Sequence, residues 1–507
     1  MALNEQKEEI HVLMVAFASQ GHINPLLRLG NRLVSKGLHV SLAITEIFQH
    51  RQRKSSSTTH TTDSIAGIQL LFFSDGFSIE YDRGSNLDHY METLGKAGPI
   101  SLSNLIKDNF HGGKKKLSCI INNPFVPWVA DVAAEHRIPS AMLWIQPCAL
   151  YAIYYRFYNN LNPFPTQTNP EMSVELPGLP LLQTQDLPSF VLPSNPFGSM
   201  PKLFTELFKN SMKKIKWVLC NSFYELEKEA IDSMAELCRI HPVGPLVPPS
   251  LLGEDQNPDI GVDMWKPDEA CMEWLNHQTP SSVIYISFGS IIALSDKQFE
   301  SIAAALKNSS RPFLWVVKAS VLTTSDSAGA LPSGFLEDTK DQGIIVPWCP
   351  QTKPPPETMG WFDEGGRTTS RPAIGVAETT YMTVLAHPTI ACFLTHCGWN
   401  SMLEAVASGV PMIAYPQWTD QPTNAKLIAD VLKVGVRLRP ESDGVVTAEE
   451  VEKCIKEVMD GPESEEFKRN AAEFKRTARL ATAGGGSSDR NIQVLVDEII
   501  SGGSTGV

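Results

Sequence analysis

The chain is short of positive charge, of paired cysteines and of long apolar runs, and each shortage excludes something. Its 43 lysines and arginines face 56 aspartates and glutamates, for a formal net charge of -13 at pH 7. Nucleic acid asks for a basic surface, so no such partner is expected, and the basic run GGKKKL reads as a solvated loop. No stretch of about 20 apolar residues occurs, and the charged amino terminus MALNEQKEEI lacks a signal-peptide core. The expectation is a cytoplasmic monomer with no membrane span. The nine cysteines are scattered without a C-x-x-C pair, which fits reduced thiols; Cys220, Cys392 and Cys397 sit in apolar runs and read as small buried residues. No G-x-G-x-x-G follows the first apolar run, which weighs against a nicotinamide or flavin oxidoreductase. No H-E-x-x-H or similar cluster marks a metal site, so none is expected.

What is present is a repeating texture. At 507 residues, 42% of them hydrophobic, the chain outgrows a single core, and two domains are expected. Apolar runs such as HVLMVAFA (11–18), HVSLAIT (39–45) and LSCIINN (117–123) alternate with amphipathic segments such as HINPLLRLGNRLVSKG (22–37). Strands without polar interruption between helices indicate parallel sheets covered on both faces. The Pro-, Gly- and Asp-rich stretch 241–269 reads as a linker, after which SSVIYISFGS (281–290) restarts the alternation. The expected division is an N-terminal domain over 1–245, a linker over 246–272, a C-terminal domain over 273–488 and a last helix and tail over 489–507. That helix follows the glycine-rich AGGGSS (483–488) and is free to pack away from its own domain.

The densest signal is IACFLTHCGWNSMLEAVASGVPMIAYP (390–416), a strand, a glycine turn and a helix start. Free N–H groups and the helix dipole converge at such a turn, which suits a phosphate. A second reading stays open: Ser401 and Glu404 match an S-x-x-E capping box and would then only close their own helix. His22, in GHINP after the first apolar run, is likewise either a loop or capping histidine or a side chain aimed into a ligand crevice.

Taken together, WCPQ (348–351), HP (387–388), THCGWNS (395–401), Glu404, GVP (409–411) and DQ (420–421) resemble the donor-binding signature of plant UDP-glycosyltransferases. GHINP, PSSVIYISFGS and GGSSDRNI extend the resemblance over essentially the whole chain. It implies the GT-B glycosyltransferase fold, two facing Rossmann-like α/β domains, with the last helix returning to the N-terminal one. By the same resemblance UDP-glucose is the donor substrate and no separate cofactor is needed. Trp348 would stack on uracil and Gln351 contact the nucleoside; Ser290, His396, Asn400 and Ser401, with Trp399 among them, would hold the diphosphate. Glu404 would accept from the ribose hydroxyls, Asp420 and Gln421 would bind the sugar, and His22 would be the base that activates the acceptor.

Two departures stand out. Most relatives support the histidine with an aspartate, but here the matching position, in SCIINNPFVPW (118–128), is Asn123. An amide can orient an imidazole but cannot offset its positive charge, which weakens base catalysis on a hydroxyl. A carboxylic acid with the pKa of a Glu side chain is already ionised at neutral pH. The expected reaction is therefore inverting glucose transfer to the carboxylate of a small aromatic or related hydrophobic acid, giving a 1-O-glucose ester. The alternatives are transfer to hydroxyls of phenolics or terpenoids, or an inactive nucleotide-sugar binder. The other departure is length: Trp348 and Gln421 stand about 30 residues farther apart than in the family signature, the excess lying near 354–383. So long a loop is uncommon inside a compact domain; it is either a surface excursion or untranslated sequence kept in the protein.

Overall fold

Two parallel sheets carry the chain in the computed structural model, which describes residues 9–55, 64–84, 86–111, 115–254, 260–261, 270–289, 294–317, 331–347 and 384–502. The first contains β1 (Glu9–Val15), β2 (His39–Thr45), β3 (Ser64–Ile65), β4 (Ile68–Phe73), β5 (Lys115–Asn122), β6 (Ser140–Trp144), β7 (Ile215–Cys220) and β8 (Ile240–Pro242). Their order is β3-β4-β2-β1-β5-β6-β7-β8, parallel throughout except for the short β3–β4 pair. The second contains β9 (Val283–Ser287), β10 (Phe313–Val316), β11 (Gly343–Val346), β12 (Ile390–Thr395), β13 (Met412–Ala414) and β14 (Gly435–Arg437), all parallel, in the order β11-β10-β9-β12-β13-β14.

Sequence order reverses between β1 and β5 in the first sheet and between β9 and β12 in the second. At such switch points the connections leave in opposite directions and open a crevice at the carboxyl ends of the strands. His22 and Asn123 follow β1 and β5; Gly289 and His396 follow β9 and β12.

Burial follows from the sequence pattern. Val12, Leu13, Met14 and Val15 are all fully buried, because both faces of β1 are covered. The last helix, Ser487–Ile500, places Ile492, Leu495, Val496 and Ile499 in the same apolar cluster as Val12, Met14 and Ile121, so it returns to the first sheet. Trp217 donates to Glu498 at 2.8 Å and Lys36 pairs with Asp489 at 2.7 Å, fixing its position. Of the stretch expected as a linker, the described Leu246 and Ile260 pack in the first core, and Val247, Leu251 and Leu252 in the second.

Candidate active site

A cleft of about 370 Å³ lies between the two sheets' crevices, and His22, His396, Trp399, Asn400, Ser401, Glu404, Asp420 and Gln421 all line it. His22 is in the first turn of the Gln20–Ser35 helix, not in the turn before it, because that helix begins two residues earlier than its apolar pattern suggests. Its Nδ1 lies 3.0 Å from Asn123 Oδ1. That oxygen also accepts from the Phe125 backbone N–H at 3.0 Å, which settles the amide's orientation, since a backbone N–H can only donate. His22 must then donate from Nδ1, and its lone pair falls on Nε2. Phe125 stands edge-on to the imidazole at 4.6 Å and Phe17 lies 5.2 Å away. Burial among these rings lowers the His22 pKa to about 4, against a smaller opposite effect of the Asn123 hydrogen bond.

Across the cleft, the Trp399–Ser408 helix has Gly398 as its N-cap, with no capping side chain. The capping-box reading therefore fails: Ser401 is the third residue of the helix and Glu404 the sixth, both past the cap. The first-turn N–H groups are left for an anion. Glycine is required at 398, where a Cβ would come within 2.5 Å of His396 Nε2; on the ring's other side, a Cβ at Gly289 would come within 2.9 Å. Burial in this slot lowers the His396 pKa to about 4. Asn400, expected at the diphosphate, donates its side-chain amide across the cleft to Gly21 O at 2.9 Å. Pro25 explains why that carbonyl is available: it has no N–H to offer the residue four positions back. Trp399 is buried and donates to Asn221 O at 2.7 Å, so it too ties the lobes together.

Asp420 stands at the N-cap position of the Gln421–Lys426 helix, without a capping hydrogen bond from its side chain, and is buried. Burial raises its pKa, while donors from Thr419, Asn424 and Gln146 act against that rise. Gln421 Oε1 accepts from the backbone N–H groups of Gln417 at 2.9 Å and Trp418 at 3.2 Å. Its NH₂ group is thereby left for a ligand, so Gln421 presents the cleft with a donor and not the acceptor that hydroxyl binding first suggests. Residues of the first lobe clamp this corner. Ser189 N donates to Thr419 O and Thr419 N to Ser189 Oγ, both at 2.9 Å, and Asp186 pairs with Arg437 at 2.6 Å.

Ser290, Trp348 and Gln351 lie outside the described residues, as does the extra segment 354–383. Sequence reasoning missed Phe17, Phe125 and Trp418, which line the cleft together with Gln146. Phe17 and Phe125 could have been found from their places two residues after β1 and three after β5. Trp418 meets Phe197 across the lobes at 5.2 Å, a contact with no signal in local sequence. Leu87, Met91, Phe190 and Met200 complete an apolar wall. Among the described residues, one group of metal-ligating side chains comes together, Glu9, His11 and His39, with ligand atoms within 4.8 Å of one another. It sits at the amino ends of β1 and β2, opposite the cleft. Its imidazoles stack at an interplanar angle of 17°.

The UDP-glucoronosyl and UDP-glucosyl transferase family matches residues 379–478. A limonoid UDP-glucosyltransferase of Citrus unshiu is 42% identical over 496 residues, 97% of this chain and 90% of that protein. Gallate 1-beta-glucosyltransferase 84A24 of Punica granatum is 42% identical over 494 residues, 97% and 89% of the two chains. The crystal structure of Os79 from O. sativa in complex with UDP superposes with a TM-score of 0.79 at 30% identity, covering 96% of this chain and 100% of that one.

Proposed function

The chain belongs to the UDP-glucoronosyl and UDP-glucosyl transferase family, and from that premise we propose that it glucosylates the carboxylate of a small aromatic or related hydrophobic acid. It is a glycosyltransferase of the GT-B fold that takes a UDP-sugar as donor. In the proposed reaction a carboxylate oxygen attacks C1 of UDP-glucose from the face opposite the diphosphate. The new C1–O bond forms as the bond from C1 to the diphosphate breaks, which inverts the anomeric centre and releases UDP. No proton has to leave an acceptor that enters ionised. The helix-end N–H groups of Trp399, Asn400 and Ser401, with His396 and Ser290, receive the charge on the departing diphosphate without need of a cation. Trp348 and Gln351 hold the uridine, Glu404 the ribose, and Asp420 and Gln421 the sugar. Trp399 and Asn400 contribute by joining the lobes.

One observation carries the choice of a carboxylate: His22 is paired with a neutral amide and held at a pKa of about 4. A phenol of pKa about 10 would keep its proton roughly a million-fold more tightly than such an imidazole could take it. A carboxylate asks only to be positioned, and the rings of Phe17 and Phe125 can do that for the acid's apolar body, the unprotonated His22 Nε2 having no hydrogen to take from it or give to it. The gallate enzyme of Punica granatum, named for transfer to an aromatic acid, supports the same reading. The protein is proposed to act as a cytoplasmic monomer on small molecules alone; among the described residues no helix is long and apolar enough to cross a membrane.

The test is a panel of aromatic acids and matched phenols supplied with UDP-glucose to the purified chain. Acids should give the dominant products, and alkali should cleave them as esters. Predominantly alkali-stable glucosides would overturn the reading.

A further inference from the structure

The apolar wall of the cleft is drawn from both lobes, and the two halves meet at one pair of rings. Trp418, two residues before Asp420 in the second lobe, and Phe197, in the first, both line the cleft and are both partly exposed. Their rings lie 5.2 Å apart between centroids, with 35° between their planes. Phe197 in turn stands edge-on to Phe190 at 6.3 Å, and Phe190 lines the cleft beside it. A flat ring slipped between two others needs about 7 Å between them, twice the contact distance of about 3.5 Å between carbon atoms. Phe197 and Trp418 are therefore in contact and are not the two sides of an open slot.

Hydrogen bonds hold the pair at this spacing. The Trp418 backbone N–H donates to Gln421 Oε1 at 3.2 Å. Thr419, next to Trp418, and Ser189, next to Phe190, exchange two bonds of 2.9 Å, and Thr423 Oγ1 donates to Asp186 O at 2.7 Å. Thr419 sits at φ 59°, a conformation that a β-branched residue adopts only where its surroundings impose it. Spreading the rings would break bonds across the lobes at the corner that holds Asp420 and Gln421. This part of the wall is thus rigid as well as closed.

We propose that Trp418 and Phe197 are specificity-determining residues for the acceptor: their contact ends the pocket and limits the acid to a compact body. The proposal rests on the reading of the cleft as the place where an acid meets a UDP-sugar, and it deepens that reading by setting the size of the acid. An acid with one ring rests against Phe17 and Phe125 beside His22 and leaves the pair closed. A body long enough to reach from His22 to the pair must part it, at the expense of the bonds across the lobes. Trp418 supplies this limit from the lobe that carries the donor signature, so the sugar corner and the acceptor wall share one short segment, 418–421.

The experiment compares benzoic acid with an anthracenecarboxylic acid, the same carboxylate on a longer flat body. Both are given to the native chain and to its Trp418→Ala, Phe197→Ala and doubly substituted variants. Calorimetric titration of each acid into the UDP-saturated chain gives its affinity, and assays with UDP-glucose give kcat/KM. The native chain should favour benzoic acid by about tenfold or more in both, although the longer acid has more apolar surface to bury. Each alanine variant should cut that preference about tenfold or more, and the double variant should go little further, since either substitution alone removes the contact. Alanine at 418 keeps the backbone N–H that meets Gln421, so free UDP should bind native chain and variants within about twofold. If the chain proves to act on hydroxyls, the same ratio is read with phenol and hydroxyanthracene, so failure of the carboxylate reading is told apart from failure of this one. The proposal is overturned if the native chain takes the compact and the long acceptor equally or binds neither. It is also overturned if the variants lose both to the same degree, since the pair would then only hold the lobes together.

Discussion

At His22 the identity of one neighbour decides what the imidazole can do. Asn123 fixes the ring's tautomer through Oδ1, but it brings no charge, and the phenyl rings of Phe17 and Phe125 strip away water that would stabilise an imidazolium. Asn123→Asp restores the charge at the same point. It should raise the His22 pKa from about 4 and increase kcat/KM for phenols by about tenfold or more, with acids changing far less. Steady-state assays with one acid and one phenol check this; equal gains for both would show that ionisation of the acceptor is not what the site selects. Position 123 was legible in the sequence through the family resemblance, which puts an aspartate at the matching place in SCIINNPFVPW. The donor character of Gln421 was not, because it depends on where two backbone N–H groups, Gln417 and Trp418, happen to point.

Among the elements, the Trp399–Ser408 helix and its glycine entry matter most. The strand, turn and helix over 390–416 could be read from hydrophobic pattern and Gly409 alone, but the cap could not. Ser401 and Glu404 have the spacing of a capping box, and only the close packing of His396 against Gly398 shows that the helix starts at Trp399. Gly398→Ala should push the ring out of its slot and tilt the first-turn N–H groups, raising the UDP dissociation constant at least tenfold, about 1.4 kcal/mol. Calorimetric titration with UDP measures it; unchanged affinity would mean that the diphosphate does not rest on this helix end. GHINP gains its meaning at the same scale. Gly21 permits the close approach of Asn400, and Pro25 leaves the Gly21 carbonyl open to receive its amide.

The whole molecule is held together by segments distant in sequence, which is why the alternation of strands and helices predicted two α/β lobes and said nothing of the contacts between them. Asp186 with Arg437, Ser189 with Thr419 and Phe197 with Trp418 bind the lobes beside the sugar corner, and none has a local signature. The last helix is the clearest case of long-range dependence. It buries Ile492, Leu495, Val496 and Ile499 against the first sheet. At about 1.5–3 kcal/mol each, their loss rivals the total stability of about 5–15 kcal/mol expected of a domain. A chain ending before Ser487 should therefore lose cooperative unfolding of the first lobe in a thermal melt, and a native-like transition would contradict this packing. The central claim, that the cleft selects an acceptor which arrives already ionised, is tested most directly by kcat/KM against pH for a benzoic acid and a matched phenol on the native chain. With His22 at about 4, the acid should be the faster substrate and its profile flat from about pH 6 to 8, while the phenol climbs with its ionised fraction. A phenol that outpaces the acid at neutral pH, or an acid profile that rises through about pH 6.5 as an ordinary histidine loses its proton, would contradict it.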